Sequence, residues 1–294
     1  MDAAEHRVPE TSTIAVGGRT ISYCELGAPD GVPVIVAHGS PGSRFQLLPL
    51  DARAAEAGIR LIAPDRPGYG GTSPEADRGF ETGLADAVAL LDALGIDRAV
   101  ALGFSGGADY ALTLAQAQPE RIERVVIVCG MHGRPPRAAL KGRLPMVSTA
   151  FRLSHWAPRL AVALFGAQRK PRDPDARPVA EREPKPGSMP EADRLIVIDP
   201  ALKPLLAADA EAGIAQGAGA AIEDLGRYGR LDMPRDVHRP VRLLHGTEDG
   251  NVPIAVARWA AAELPDAELT EFEGQGHLFA VTRPDAVLDA ILGR

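Results

Sequence analysis

Cysteine is nearly absent from this chain: Cys24 and Cys129 are the only two in 294 residues. That excludes a disulfide-stapled scaffold. Neither residue has the spacing of a zinc site, so both are expected as buried free thiols in a reducing compartment. Aromatic residues make up 4%, so any that line a pocket should matter. No apolar run approaches the roughly 18 residues that span a bilayer, and Met1 to His6 is acidic where a secretory leader would be basic. A cytoplasmic protein without a membrane partner is expected. Positive charge is also short, and a net charge of −7 argues against nucleic acid, whose phosphates recruit basic surfaces. No strand-like run is followed by G-x-G-x-x-G or G-x-x-x-x-G-K-[ST], which removes the nucleotide-loop reading. No cofactor and no metal are expected.

What is present is a strand–helix rhythm. At this length the chain buries about three quarters of its unfolded surface, enough for one large domain with an insertion. Ser12–Val16 and Arg19–Glu25 alternate around Gly17-Gly18, the composition of a two-residue hairpin. Apolar runs at Pro33–Ala37, Ile59–Ala63, Arg98–Leu102 and Arg124–Cys129 read as buried parallel strands. Helical spacing is read over Phe45–Ala57, Gly83–Leu94 and Ala108–Gln118. A doubly wound α/β sheet follows. From Met131 to about Met233 the rhythm breaks into helix-like pieces, among them Val147–Trp156 and Asp193–Ala212, with a charged, proline-containing loop at Gln168–Pro186. It resumes with a strand over Pro240–His245, a helix over Ile254–Glu263, a strand over Ala267–Phe272 and a helix over Pro284–Leu292. No internal repeat is visible.

The chemistry gathers at Gly103-Phe104-Ser105-Gly106-Gly107, a G-x-S-x-G between a strand and a helix. Glycines there permit a tight turn that lifts the Ser105 hydroxyl above the sheet edge and turns the Gly106 N–H toward the same space. The competing interpretation is a plain turn that happens to contain a serine. A serine hydroxyl near neutral pH needs a base, and the base a third group to hold its tautomer. In an open parallel sheet such groups converge at the carboxyl ends of strands. Two later strands deliver His245-Gly246-Thr247-Glu248-Asp249 and Gly274-Gln275-Gly276-His277 to that edge.

With these residues the chain resembles the α/β-hydrolase superfamily over both flanking portions. The matching segments are His38-Gly39-Ser40-Pro41-Gly42, Asp65-Arg66-Pro67-Gly68-Tyr69-Gly70, the Ser105 elbow, the Asp249 loop and Gly276-His277. The resemblance implies an α/β-hydrolase core over 1–130 and 234–294, with an α-helical cap over 131–233 inserted after the sixth strand. It implies Ser105 as nucleophile, His277 as base and Asp249, not Glu248, as the orienting acid. The oxyanion would be held by the backbone N–H groups of Ser40 and Gly106, leaving the Ser40 side chain free to vary. His38 and Asp65 are expected to organise their loops, and Asp109 to serve the helix dipole.

The substrate expected is a small molecule, with a carboxylic ester or lactone first and amide or carbon–carbon cleavage on the same triad as alternatives. A non-hydrolytic enzyme and a silent small-molecule receptor also stay open. Epoxide hydrolases and haloalkane dehalogenases of this superfamily carry aspartate at the elbow, so Ser105 argues against both. Phe104, Phe151, Trp156 and Leu278 are the candidates for the pocket wall. A homodimer is compatible with the sequence.

Overall fold

The computed structural model describes residues 8–75, 79–167, 184–185 and 187–294. Its strands are β1 (Ser12–Val16), β2 (Arg19–Gly27), β3 (Val32–Ala37), β4 (Ile59–Pro64), β5 (Ala99–Phe104), β6 (Ile122–Val128), β7 (Val241–Gly246) and β8 (Ala267–Phe272). They form one sheet in the order β1-β2-β4-β3-β5-β6-β7-β8. The β1–β2 and β2–β4 pairs are antiparallel and all others parallel. Gly17 and Gly18 turn the first hairpin with φ of +55° and +80°, the left-handed pair that a type I′ turn requires.

The helices are α1 (Asp51–Glu56), α2 (Phe80–Ala93), α3 (Ala108–Ala117), α4 (Pro145–Trp156), α5 (Pro158–Ala167), α6 (Glu191–Ile198), α7 (Lys203–Gly213), α8 (Gly219–Arg227), α9 (Ile254–Glu263), α10 (Phe279–Thr282) and α11 (Pro284–Leu292). Side chains of successive strand residues point to opposite faces, and both faces are covered. Val34, Val36, Val100, Leu102 and Val126 pack toward α1 and α11. Ile35, Ala101, Val125 and Ile127 pack toward α2, α3 and α9. That double burial is why these strands are continuous apolar runs instead of alternating ones.

Strand order reverses at β3, which has β4 on one side and β5 on the other. Loops leaving two such strands diverge over opposite faces and open a crevice at the switch point. The loop after β3 carries Ser40 and the turn after β5 carries Ser105, so the crevice lies between them. Helices α4 to α8 occupy the long connection from β6 to β7. They meet the crevice through Asp193 of α6, Asp209 of α7 and Asp224 of α8, which bond to the loops leaving the sheet. The expected loop at Gln168–Pro186 lies outside the described residues except for 184 and 185. No helix among the described residues is long and apolar enough to cross a membrane.

Two expected elements differ. Phe45–Ala57 is not one helix: its first part is a chain of tight turns with a 3₁₀ segment at Leu48–Leu50, and α1 spans only Asp51–Glu56. Phe45, Leu47, Leu48 and Leu50 are all buried in one core cluster, four of six consecutive residues, more than the one inward stripe of a surface helix presents. Asp193–Ala212 is split into α6 and α7, because Pro200 biases Asp199 toward extended backbone, where its ψ is 120°.

Candidate active site

Ser105 sits at a φ of +49°, in the left-handed region that a non-glycine residue seldom occupies. The turn is this tight because its neighbours have no side chains. A Cβ on Gly107 would lie 1.9 Å from the Ala37 carbonyl oxygen, and one on Gly103 would lie 2.7 Å from the Ala108 Cα. Strand β5 therefore runs straight into the turn before α3, and Ser105 faces the crevice with its backbone strained.

His277 enters from the loop after β8. Its Nδ1 lies 2.7 Å from Asp249 Oδ2, and its ring meets Phe104 edge-on at 5.5 Å between centroids. Asp249 is buried at the exit of β7. Its Oδ1 accepts the backbone N–H groups of Asn251 and Val252, both at 2.8 Å. Burial alone would push the Asp249 carboxyl up, but His277 and bonds from His245 and His277 more than reverse this and hold it well below the usual carboxylate range. Burial likewise pulls His277 down, yet the Asp249 charge, its hydrogen bond and Asp193 leave the imidazole above its ordinary value. Glu248, the competing acid, is exposed.

Ser105 and His277 line the same cavity of about 420 Å³, walled largely by apolar side chains from α4 and α8. A second hollow of about 370 Å³ opens on the same pair and reaches Lys203 and Asp209. Phe151 lines the first; Phe104 and Leu278 line the second. Trp156 lines neither. It is 81% exposed, a correction with a geometric cause: five residues beyond Phe151 is about 140° around the helix, so the inward face of α4 cannot hold both.

His38 accepts the Arg66 backbone N–H at Nε2 (2.9 Å), and its Nδ1 lies 2.8 Å from the Gly39 carbonyl. Asp65 accepts the N–H groups of Arg44 and Gly71 and pairs with the Arg44 guanidinium at 2.6 Å. Both thus tie loops together. Asp109 is wholly buried and binds His132 Nδ1 (2.6 Å) and the Gly133 N–H (2.7 Å), so it anchors the start of the inserted segment. The Ser40 hydroxyl is bonded on more than one side. It donates to Asp224 at 2.9 Å and accepts from Arg66 at 2.6 Å, with the Tyr69 hydroxyl 3.1 Å away.

Several neighbours of the site had no motif to announce them. Asp193 of α6 accepts the N–H groups of His277 (2.9 Å) and Leu278 (2.8 Å), seating the histidine loop. Gly276 is needed there, since a Cβ would lie 2.4 Å from that carboxylate. Cys129, His245 and Asp249 place ligand-type atoms within 4.8 Å of one another; His245 Nε2 faces both the Val252 carbonyl at 2.7 Å and Asp249 Oδ2 at 3.3 Å, and Asp249 also meets His277. Burial and the Asp249 charge push the Cys129 thiol up, and His245 backs the acid. Cys24 and Cys129 are both buried and unpaired.

Asp209 of α7 accepts the Ser43 N–H (2.7 Å) and hydroxyl (2.8 Å). Burial pushes its carboxyl up to about 7 despite those bonds, with Asp65 adding to the rise. An unfolded Asp titrates near about 3.9. Between those values the folded protein holds a proton that the unfolded chain has released, so this group's contribution to stability falls as pH rises through the window. Asp209→Asn keeps an acceptor for Ser43 and removes the charge. Thermal melts should show the variant equal to the parent near pH 4 and more stable at pH 8; a less stable variant at pH 8 would refute the assignment.

Comparison with known proteins decides the family. The profile of the Alpha/beta hydrolase family matches residues 34–290. The chain belongs to that family. This hydrolase is 28% identical over 290 residues to a non-heme chloroperoxidase of Streptomyces lividans, covering 92% of this chain and 94% of that one. It is 31% identical over 233 residues to a pimeloyl-[acyl-carrier protein] methyl ester esterase of Aromatoleum aromaticum, covering 78% and 84%. Among solved structures, an esterase from a Rhodococcus species superposes with a TM-score of 0.65 at 20% identity, covering 97% of each chain. At that identity the likeness speaks for the fold. The family places the protein among enzymes, as a hydrolase.

Proposed function

We propose that this hydrolase cleaves a small carboxylic ester or lactone through an acyl-enzyme on Ser105. The observation that carries the reading is that strained Ser105 and His277 line one cavity, with His277 bonded to a buried carboxylate. Ser105 Oγ attacks the carbonyl carbon while His277 takes its proton, and Asp249 stabilises the imidazolium. The oxygen that becomes negative is met by the N–H groups of Ser40 and Gly106. His277 returns the proton to the departing alkoxide. Water then adds to the acyl carbon by the same steps and frees the acid and Ser105. The largely apolar wall around Phe151 and Ile222 suits an aliphatic or aryl group and pays no desolvation cost for polar atoms.

A fluorophosphonate probe tests the nucleophile: covalent labelling that is lost in Ser105→Ala supports it, and an unlabelled native protein rejects it. Chain length tests the cavity. Across p-nitrophenyl esters from acetate to octanoate, Phe151→Ala should move the optimum to longer acyl chains, while Trp156→Ala should leave the profile as it is. A profile unmoved by Phe151→Ala would take that cavity out of substrate binding.

A further inference from the structure

We infer that helix α8 is a brace that aims the oxyanion-binding N–H groups, with Arg66, Asp224 and Tyr228 as positioning residues. The inference rests on the serine-hydrolase reading above.

A trans peptide is planar, with its N–H and C=O on opposite edges, so whatever grips the carbonyl aims the N–H. The N–H of Ser40 shares a plane with the Gly39 carbonyl. That oxygen accepts Arg66 Nη2 at 2.7 Å and lies 2.8 Å from His38 Nδ1. His38 Nε2 accepts an N–H, so the proton sits on Nδ1 and the second contact is also a donation. The N–H of Gly106 shares a plane with the Ser105 carbonyl, which accepts the Met131 N–H at 2.9 Å. The next carbonyl, that of Gly106, accepts the Tyr228 hydroxyl.

The grip on Arg66 comes from the inserted helices. Its Nη1 lies 2.8 Å from Asp224 Oδ2, and both side chains are buried. Tyr69 donates to the same oxygen at 2.6 Å. Asp224 and Tyr228 are four residues apart, one above the other at the end of α8. One turn of helix thus holds, through Arg66, the peptide that carries the Ser40 N–H and, through Tyr228, the peptide that follows the one carrying the Gly106 N–H. A guanidinium held on the Gly39 carbonyl also polarises that peptide and strengthens its N–H as a donor, since hydrogen bonds in series reinforce each other. A buried ion pair is weak evidence for stability by itself, which leaves orientation as the role this one serves.

The variants are read on p-nitrophenyl acetate and on a phenyl-substituted trifluoromethyl ketone, which Ser105 would convert into a bound oxyanion. Tyr228→Phe keeps the ring in the cavity wall and removes one donor. It should lower kcat about tenfold with KM unchanged and weaken the ketone by the same factor, a fraction of the loss when an oxyanion donor is deleted outright. Arg66→Met with Asp224→Leu removes both charges together, avoiding an unpaired buried ion. It should lower kcat about 10²-fold at an unchanged melting temperature. A role confined to packing would lower the melting temperature and spare the ketone affinity. Tyr228→Phe with native kcat and native ketone affinity overturns the brace. Fluorophosphonate labelling of the native protein separates the two claims: no labelling removes the serine reading and the brace with it, whereas labelling beside an unaffected Tyr228→Phe removes the brace alone.

Discussion

Ser105→Ala should lower turnover of p-nitrophenyl acetate on the order of a million-fold, and adding His277→Ala should cost little more. Residues of a triad act as one unit, so once the nucleophile is gone the base has nothing to deprotonate. A residue of about 10³ to 10⁴ over the uncatalysed rate should survive, supplied by binding and by the N–H groups of Ser40 and Gly106. The fold should survive as well. What Ser105 gives the scaffold is its backbone: its carbonyl accepts the Met131 and Ala108 N–H groups, and alanine keeps both. Equal melting temperatures with a million-fold loss would place the defect in the chemistry. A variant retaining more than a tenth of native turnover would show that Ser105 is not the nucleophile.

The parts of this molecule that could be read from sequence are those in which local pattern and global need agree. Strands β3 to β7 are apolar runs because the sheet is covered on both sides, and the Ser105 elbow announces itself because only glycine fits at 103 and 107. The convergence of Ser105, Asp249 and His277 follows from loops that each leave a strand at the same edge. The inserted helices were less legible. Asp193 reaches His277 across 84 residues and Asp224 reaches Arg66 across 158, and nothing local distinguishes them from the solvated acids elsewhere on those helices. One usable signal was present in α8, where Asp224 and Tyr228 share a face with apolar Ala221; an acid on a helix's buried stripe needs a partner. The bonds of the Ser40 hydroxyl are hidden from local pattern for the same reason, since its partners lie 26 to 184 residues away.

Asp249→Asn should lower kcat about 10⁴-fold while leaving the fold intact, and the reason is a proton in the wrong place. Asp249 Oδ1 accepts two backbone N–H groups, so an asparagine there must put its oxygen on that side. Its NH₂ then faces His277 Nδ1, which has to become the acceptor. The ring proton moves to Nε2, the atom that must be bare to receive the proton of Ser105. The pH profile should report the same change. The neutral imidazole is the base, so in the native protein kcat/KM should rise with pH through a His277 pKa that Asp249 holds above the ordinary value of about 6.5. With the carboxylate gone, burial is left to pull that pKa down, and the acid limb should move to lower pH even as the plateau collapses. Glu248→Gln, on an exposed side chain, serves as the control and should leave both rate and profile in place. If Asp249→Asn stays within tenfold of native turnover, or if its acid limb does not move, the carboxylate is not the group that orients His277.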